Sequence, residues 1–361
     1  MNSALGGTLR QLSGPVLVTG HTGFKGTWLT ILLEHLNVPV IGYSLPAEKD
    51  SLFDRAKRVG SIPETFSDIR DLDSVGRFMD IHKPSIVMHL AAQPLVLESY
   101  RTPVGTFATN VMGTANVLSA SFGTGTVQAV AVITTDKVYR NDNSGRAFIE
   151  SDPLAGKDPY SASKVGSEAA VAAWQQISKI SGGPSVISLR AGNVIGGGDW
   201  AEDRLIPDLI RGFVKGGKIT LRNPQSTRPW QHVLDPLIGY LMAVENLLGG
   251  NQIDALNFGP VTKSLEVKRI AEIAQRAWPA PIEIENSVSS SIPETEALVL
   301  DLNSRMAQDL LGWSPMWSQE EAVLSSVKWW DRVLNKAVDP QMACFEDIEF
   351  AIKNLSSLGN S

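Results

Sequence analysis

Cysteine is almost absent from this chain: Cys344 is the only one in 361 residues. A single thiol excludes an internal disulfide and any cysteine-based zinc site, and it suits a reducing cytoplasm. The five histidines (His21, His35, His82, His89 and His232) show no metal-ligand spacing, so no metal is expected. No apolar run approaches the ~20 residues needed to span a bilayer. The opening stretch, MNSALGGTLRQLSGP, lacks the apolar core of a signal peptide. Excess positive charge is missing too: 32 Lys and Arg face 38 Asp and Glu, for a net charge of −6. Bulk attraction to nucleic acid or to an anionic membrane is therefore not expected. There are no solenoid-period repeats, low-complexity tracts or heptads. What remains is 43% hydrophobic with a mean hydropathy of −0.02. Those values describe a soluble, intracellular globular protein, long enough for one large domain with a lobe or for two domains.

What is present begins with VLVTGHTGFKGTWL, Val16–Leu29. The run Val16–Val18 is too short for a buried helix and right for an inner parallel strand. Gly20, Gly23 and Gly26 follow at three-residue spacing, then the apolar positions Trp28, Leu29, Ile31, Leu32 and Leu33. Strand, glycine turn and helix in that order let a diphosphate approach the amides at a helix N-terminus. The alternative is an ordinary strand–helix connection, because a lone glycine triad is weak evidence. Further strands are expected at Val38–Tyr43, Ile62–Phe66, Ser85–Leu90, Val127–Thr134, Ser185–Leu189 and Ala255–Phe258. Helices separate them, among them about Thr102–Phe122 and Tyr160–Ser178. Regular βα alternation means a parallel, doubly wound α/β fold. After Arg190 that alternation is lost. We therefore expect a dinucleotide-binding domain over residues 1–190, completed by about 232–262, and a smaller substrate-binding lobe from 191–231 and 263–361. The clustered tryptophans Trp313, Trp317, Trp329 and Trp330 read as core, and the chain beyond about Ala337 as a peripheral helix with a frayed tail.

Tyr160 and Lys164 lie four apart, one helical turn and about 6 Å of rise, so both side chains share a face. An ammonium beside a phenol favours phenolate and should lower the tyrosine pKa from about 10. That pair follows a strand ending Ile133-Thr134-Thr135, whose hydroxyl can reach the same substrate oxygen. Gly20-x-x-Gly23-x-x-Gly26, Thr134/Thr135 and Tyr160-x-x-x-Lys164 within DPYSASK resemble the extended short-chain dehydrogenase/reductase superfamily and its Rossmann fold, over about residues 14–330. The phrases GHTGFKGTWL, HLAAQPLV, NVMGT, TTDKVY, RAGNVIGGGDWAEDRLIPD, NPQSTRPWQHVLDPL and NFGP narrow the resemblance to the CDP-glucose 4,6-dehydratase family.

That resemblance implies NAD as cofactor. It places Gly20, Thr22, Gly23, Phe24, Lys25, Gly26, Asp68, Ile69, Ala91, Ala92, Gln93, Asn110, Thr134, Tyr160 and Lys164 around the cofactor. It makes Thr135, Tyr160 and Lys164 the group that oxidises the sugar at C4, and Asp136 and Lys137 the acid–base pair of dehydration. Lysine in that second slot is unusual, since the slot commonly holds Glu. An unperturbed lysine pKa of about 10.4 must fall by about 3 to serve as a neutral base. Either Lys137 is that base or it stays charged and stabilises the enolate. At the end of the second strand, where an acidic ribose ligand is expected, the sequence reads Tyr43-Ser44. NADP is thus not excluded by that position, and Lys25 or Lys49 could approach a 2′-phosphate.

For substrate, Asn193, Arg204, Leu205, Arg222, Arg228 and Trp230 are the candidates, because arginine forks suit a diphosphate. Arg211, Lys215 and Lys218 read as a solvated helix face. One departure from the family wording is Arg140-Asn141, where an acidic residue usually precedes Asn. The expected partners are CDP-glucose or a related nucleotide sugar and a second copy of the chain as a homodimer. A 4-epimerase or dehydratase using another nucleotide, or a non-catalytic dinucleotide sensor, are the alternatives.

Overall fold

The computed structural model describes residues 5–216, 218–221, 223–280, 283–286 and 299–358. The chain runs β1 (Val16–Thr19), α1 (Phe24–His35), β2 (Val40–Ser44), α2 (Leu52–Arg55), β3 (Glu64–Phe66), α3 (Leu72–His82), β4 (Ile86–His89), α4 (Val96–Arg101), α5 (Pro103–Phe107), α6 (Gly113–Thr124), β5 (Ala129–Ile133), α7 (Pro159–Ser181) and β6 (Ser185–Ala191). It continues through β7 (Asn193–Ile195), α8 (Leu205–Lys215), β8 (Lys218–Leu221), β9 (Thr227–Arg228), β10 (Trp230–His232), α9 (Leu234–Leu248), β11 (Ala255–Phe258), β12 (Leu265–Glu266), α10 (Val267–Ala277), β13 (Glu283–Asn286), α11 (Arg305–Leu311), α12 (Gln319–Asn335) and α13 (Pro340–Leu358).

The expected apolar runs become one seven-stranded sheet in the order β3-β2-β1-β4-β5-β6-β11, parallel throughout. Period-two alternation splits each inner strand between two cores. Val16 and Val18 face one core and Leu17 the other; Ile86 and Met88 face the first and Val87 the second. The first core holds α1 and α9, the second α3, α6 and α7. Strand order reverses between β1 and β4, and their carboxyl ends open the crevice where ligands bind in such sheets. There Gly20, at φ +74°, packs so closely on the end of β4 that a Cβ would lie 2.7 Å from the Ala91 nitrogen.

Helix starts follow the capping residues. Asp158 Oδ1 accepts from the Ser161 amide at 2.9 Å and Pro159 occupies the first turn of α7. A Ser318–Glu321 capping box opens α12. The helix expected over about Thr102–Phe122 runs from Pro103 to Thr124, with Thr102 outside helical geometry as its cap and a π-helical turn over Ala108–Met112 between α5 and α6. That turn re-aims Asn110, whose side chain bonds Ser163 (2.8 Å) and Gln93.

Residues beyond β6 form three two-stranded ribbons, β7–β10, β9–β12 and β8–β13, with α8, α10 and α12 packed among them. The terminal helix is a correction to the sequence reading. Instead of lying loose, α13 buries Ala343, Cys344, Ile348 and Ala351. It reaches α1 through Phe345 and His35, and α12 through Asp347 and Arg332.

Candidate active site

The dinucleotide end is built by the turn after β1. A Cβ at Gly26 would sit 2.1 Å from the Gly20 carbonyl oxygen, so only glycine lets the first turn of α1 close on the strand. Gly23 is different: a Cβ there meets only that same oxygen, at 3.4 Å. It is the exposed N-cap of α1 and no side chain caps the helix. The first amides of α1 are thus left for a ligand, in contrast with the side-chain caps of α3 and α7. Thr22 bonds Ser44 (2.8 Å) and the Leu45 carbonyl (3.0 Å), joining the turn to the end of β2. Ile69 is buried against Gly113, and Asp68 is ion-paired with Arg70, which lowers its carboxyl pKa. The Gln93 backbone amide donates to Asn110 Oδ1 at 2.8 Å, so Ala91–Gln93 and the π-helical turn form one wall. This uncapped helix start beside a close glycine turn fits a dinucleotide diphosphate.

Lys25 does not point toward the end of β2, where a 2′-phosphate would lie. Its ammonium stands 5.8 Å over the Tyr240 ring and interacts with Lys164, Arg204 and Asp136. Burial, with the two neighbouring cations, pulls its pKa down to about 7. The inward turn follows from its place in the first turn of α1, facing the crevice.

At the catalytic end, β5 delivers Thr134 and Thr135, and α7 delivers Tyr160 and Lys164. All four are buried. Thr135 donates to Asp136 Oδ1 at 2.9 Å, and Lys137 Nζ lies 3.2 Å from the same oxygen. Asp136 is fully buried, and its Oδ2 has no hydrogen-bond partner. Lys164 donates to the Ile133 carbonyl at 3.1 Å; burial lowers its pKa to about 8, against the pull of Glu168. The expected depression of Tyr160 is overturned. Burial pushes the phenol up to about 12, outweighing the opposing effects of its hydrogen bond with Thr135 and of the Arg204 charge. His89 is wedged between Thr19 (2.7 Å) and Thr114 (3.1 Å), and burial lowers its pKa to about 3. It is a neutral strut between β1, β4 and α6.

On the substrate side, Arg204 pairs with Asp199 (3.0 Å) and interacts with Tyr160 and Lys25, so it belongs to the catalytic end. Leu205 opens α8 beside it. Asn193 begins β7 opposite Trp230, with its Oδ1 buried and unpartnered. Arg228 is buried in β9 and donates to the Thr227 carbonyl. Trp230 is buried and spends its indole N–H on the Leu265 carbonyl at 3.2 Å. Arg222 lies outside the described residues. Arg211 is not on a solvated face: it bonds the Trp200 and Ala201 carbonyls and lies over the Trp200 ring. The Arg55 guanidinium also lies over that ring, at 4.9 Å. The buried tryptophans do more than fill volume. Trp28 donates to the Gly197 carbonyl at 2.9 Å, and Gly197 packs so tightly on Trp329 that a Cβ would lie 2.0 Å from its ring. They floor the loop that carries Asp199 and Arg204. Glu168, paired with Arg190, is a part of this region that sequence reading missed. Its signal was present as the third position of a Tyr160–Lys164–Glu168 stripe.

Among the described residues, no group of His, Cys, Asp or Glu could hold a metal ion, and no helix is long and apolar enough to cross a membrane. The sheet order, the glycine turn and the Tyr–Lys helix together define a Rossmann-type nucleotide-binding α/β protein. The model of the NAD dependent epimerase/dehydratase family matches residues 16–259. The chain belongs to that family of nucleotide-sugar dehydratases and epimerases, and its cofactor is NAD. It is 39% identical over 323 residues to the CDP-glucose 4,6-dehydratase of Salmonella typhimurium, covering 87% of this chain and 89% of that one. It is 28% identical to the dTDP-glucose 4,6-dehydratase of Haemophilus influenzae, covering 87% and 97%. Among solved structures, DesIV, a dTDP-glucose 4,6-dehydratase from Streptomyces venezuelae with NAD bound, shares the fold with a TM-score of 0.75 at 24% identity, covering 91% and 99%.

Proposed function

We propose that this chain is a nucleotide-sugar 4,6-dehydratase that converts CDP-glucose to CDP-4-keto-6-deoxyglucose and water. The observation that carries the reading is Asp136, a fully buried carboxyl with one oxygen held by Thr135 and Lys137 and the other unpartnered. A 4-epimerase has no use for a second acid–base pair beside the tyrosine; elimination of water across C5 and C6 needs one. The identity to the Salmonella typhimurium enzyme supports the choice of CDP-glucose.

When bound, the nicotinamide cofactor supplies the hydride acceptor for C4 and the hydride donor for C6. Every proton movement then falls to the chain. Tyr160 takes the proton of the C4 hydroxyl as its phenolate, a form that burial disfavours and that the Thr135 hydrogen bond and the Arg204 charge favour, with Lys164 one turn on along the same helix face. The C4 ketone makes the C5 proton acidic, and Lys137 removes it. Asp136 protonates the C6 hydroxyl through Oδ2, so that it leaves as water. Lys137 returns the proton to C5 when C6 is reduced. At the end of the cycle Lys137 is as it began, Tyr160 holds the proton of the C4 hydroxyl and Asp136 is one proton short. The Thr135 hydroxyl, hydrogen-bonded to both, is the route by which that proton passes from Tyr160 to Asp136 and resets the site.

Arg204 and Asn193 hold the sugar diphosphate, with Leu205, Arg222, Arg228 and Trp230 shaping the nucleotide end. Residues 1–190 with 232–262 serve as the cofactor half, and 191–231 with 263–361 as the substrate half. The exposed apolar positions Leu97, Tyr100, Val104, Phe107 and Met112 run along α4, α5 and the turn before α6. Such a stripe suits a second copy of the chain, and we assign it to a homodimer. The test is to incubate the protein with NAD⁺ and CDP-, UDP-, dTDP- or GDP-glucose and follow product mass. Loss of one water from CDP-glucose alone is expected. Isomerisation at constant mass would make the protein an epimerase, and absence of turnover with every sugar would make it a sensor.

A further inference from the structure

The segment that carries Thr135, Asp136 and Lys137 is held at both ends by one buried ion pair. At its start, Thr134 donates to Glu168 Oε1 at 2.6 Å. At its end, the Tyr139 hydroxyl receives Arg190 Nη1 at 2.9 Å and donates to Asn257 at 2.7 Å. Glu168 and Arg190 are bidentate partners, with Nε to Oε1 at 2.9 Å and Nη2 to Oε2 at 2.8 Å. Ser188 fills a further acceptor site on Oε1 at 2.6 Å, and Arg190 also reaches the Glu150 carbonyl at 2.9 Å. Both charges are buried.

Glu168 also stands four residues beyond Lys164 on α7, on the face shared with Tyr160. The groups around the Lys164 ammonium come from four elements. They are Glu168 on its own helix, Lys25 from α1, the neutral imidazole of His89 from β4, and the Ile133 carbonyl from β5. Glu168 is the anion that acts on it and opposes the effect of burial. A buried ion pair adds little net stability over an apolar pair of the same shape, so its value lies in what it holds in place.

We propose that Glu168 and Arg190 are positioning residues for the dehydratase reaction proposed above: the pair clamps Thr135–Lys137 at both ends, and Glu168 keeps Lys164 an ammonium. Neither touches substrate. Arg190 acts on the loop through Tyr139, and Glu168 acts through both Thr134 and Lys164.

Three variants separate these actions, read against circular-dichroism melts of each protein. Glu168→Gln with Arg190→Met removes both charges together, so no buried charge is stranded. Its expected turnover of CDP-glucose falls about tenfold or more with KM changed less than about threefold. The alkaline limb of its pH profile moves down by about one unit, because Lys164 loses its counter-charge. Tyr139→Phe, which keeps Glu168, lowers kcat by a similar factor and leaves the alkaline limb in place. Glu168→Asp restores the limb of the parent while kcat stays low. A folded double variant with the pH profile and kcat of the parent overturns the proposal, as does a Tyr139→Phe variant that shifts the limb. If the double variant does not fold, Tyr139→Phe at full kcat overturns the clamp, and Glu168→Asp with a shifted limb overturns the charge role. NAD⁺ affinity against pH, followed by tryptophan fluorescence, is read in parallel. If the parent turns over no sugar, the substrate reading fails, and the clamp is judged on that affinity: its alkaline fall-off must move down with the double variant and stay in place with Tyr139→Phe.

Discussion

Three glycine-to-alanine substitutions test the geometry of the turn after β1. Gly26 is the third helical residue of α1, where alanine should by itself gain about 1 kcal/mol of helix propensity. Its Cβ, however, would lie 2.1 Å from the Gly20 carbonyl oxygen and 2.8 Å from the Gly20 carbonyl carbon and His21 Cα. A close C···O contact is about 3.3 Å, so the turn must open by roughly 1 Å. Every clashing atom is backbone, which no rotamer change relieves. Overpacking of this kind costs about 1–3 kcal/mol or more, and the expected net loss for Gly26→Ala is about 2 kcal/mol, with NAD⁺ binding lost as the turn opens. Gly23→Ala meets one atom at ordinary contact distance, so its stability should stay within about 1 kcal/mol of the parent. Its methyl group faces the diphosphate approach, and NAD⁺ affinity should fall about tenfold or more. Gly76, inside α3, has nothing within 4 Å of its Cβ; Gly76→Ala should gain about 0.5–1 kcal/mol and leave NAD⁺ binding unchanged. Urea unfolding followed by circular dichroism and NAD⁺ titration by tryptophan fluorescence give both readings on each protein. Gly26→Ala with the unfolding midpoint and NAD⁺ affinity of the parent would refute the close-approach argument.

Asp136→Asn should remove the proton donor for the leaving hydroxyl, lowering water loss by about 10²–10⁴-fold while C4 oxidation persists as a transient NADH absorbance under single turnover. Equal loss of both steps would place Asp136 in the first step instead. Lys137→Ala should abolish solvent-deuterium exchange at C5, and intact exchange would take the base role from it. Asp347 has its pKa raised to about 6 by burial, above the ordinary value of about 3.9. Its contribution to stability is therefore full below about pH 4 and lost as pH rises through about 6. Asp347→Asn should stabilise the fold at pH 8 by up to about 3 kcal/mol, less what the Arg332 contact contributed, and change little near pH 4. Equal destabilisation at both pH values would refute that sign. If the proposed homodimer forms through the α4–α5 stripe, Val104→Glu should leave a monomer in sedimentation velocity, whereas a dimer in that variant would move the interface elsewhere.

The sheet was legible because its strands are short apolar runs with helices between them, a pattern that local sequence carries by itself. The Tyr160–Lys164 pair and the glycine turn were legible for the same reason: each is a spacing within one element. What escaped depends on contacts between distant elements. The Tyr160 phenol rises instead of falling, because its burial is set by the surrounding layers and not by the lysine one turn away. Lys25 reads as a residue that could approach a 2′-phosphate, whereas in the fold it turns into the crevice and stands over Tyr240 from α9. Arg211 and Trp200, eleven residues apart, become a stacked pair only after the loop between them folds back. The Glu168–Arg190 pair joins residues 22 apart across a helix and a strand, and only the Glu168 half of it lies in a spacing within one element.

The docking of α13 on α1 also bears on how the protein is made. Trp28, Leu29, Ile31, Leu32 and Leu33 are fully covered in the finished molecule, yet part of the cover on α1 lies some 300 residues later in the chain. At synthesis rates of about 5–20 residues per second, that helix emerges roughly 15–60 s before its partner. During that interval the cofactor-binding turn and its adjoining apolar helix are assembled without their last layer. Chain elongation thus sets a lower limit on the time before the first core can close.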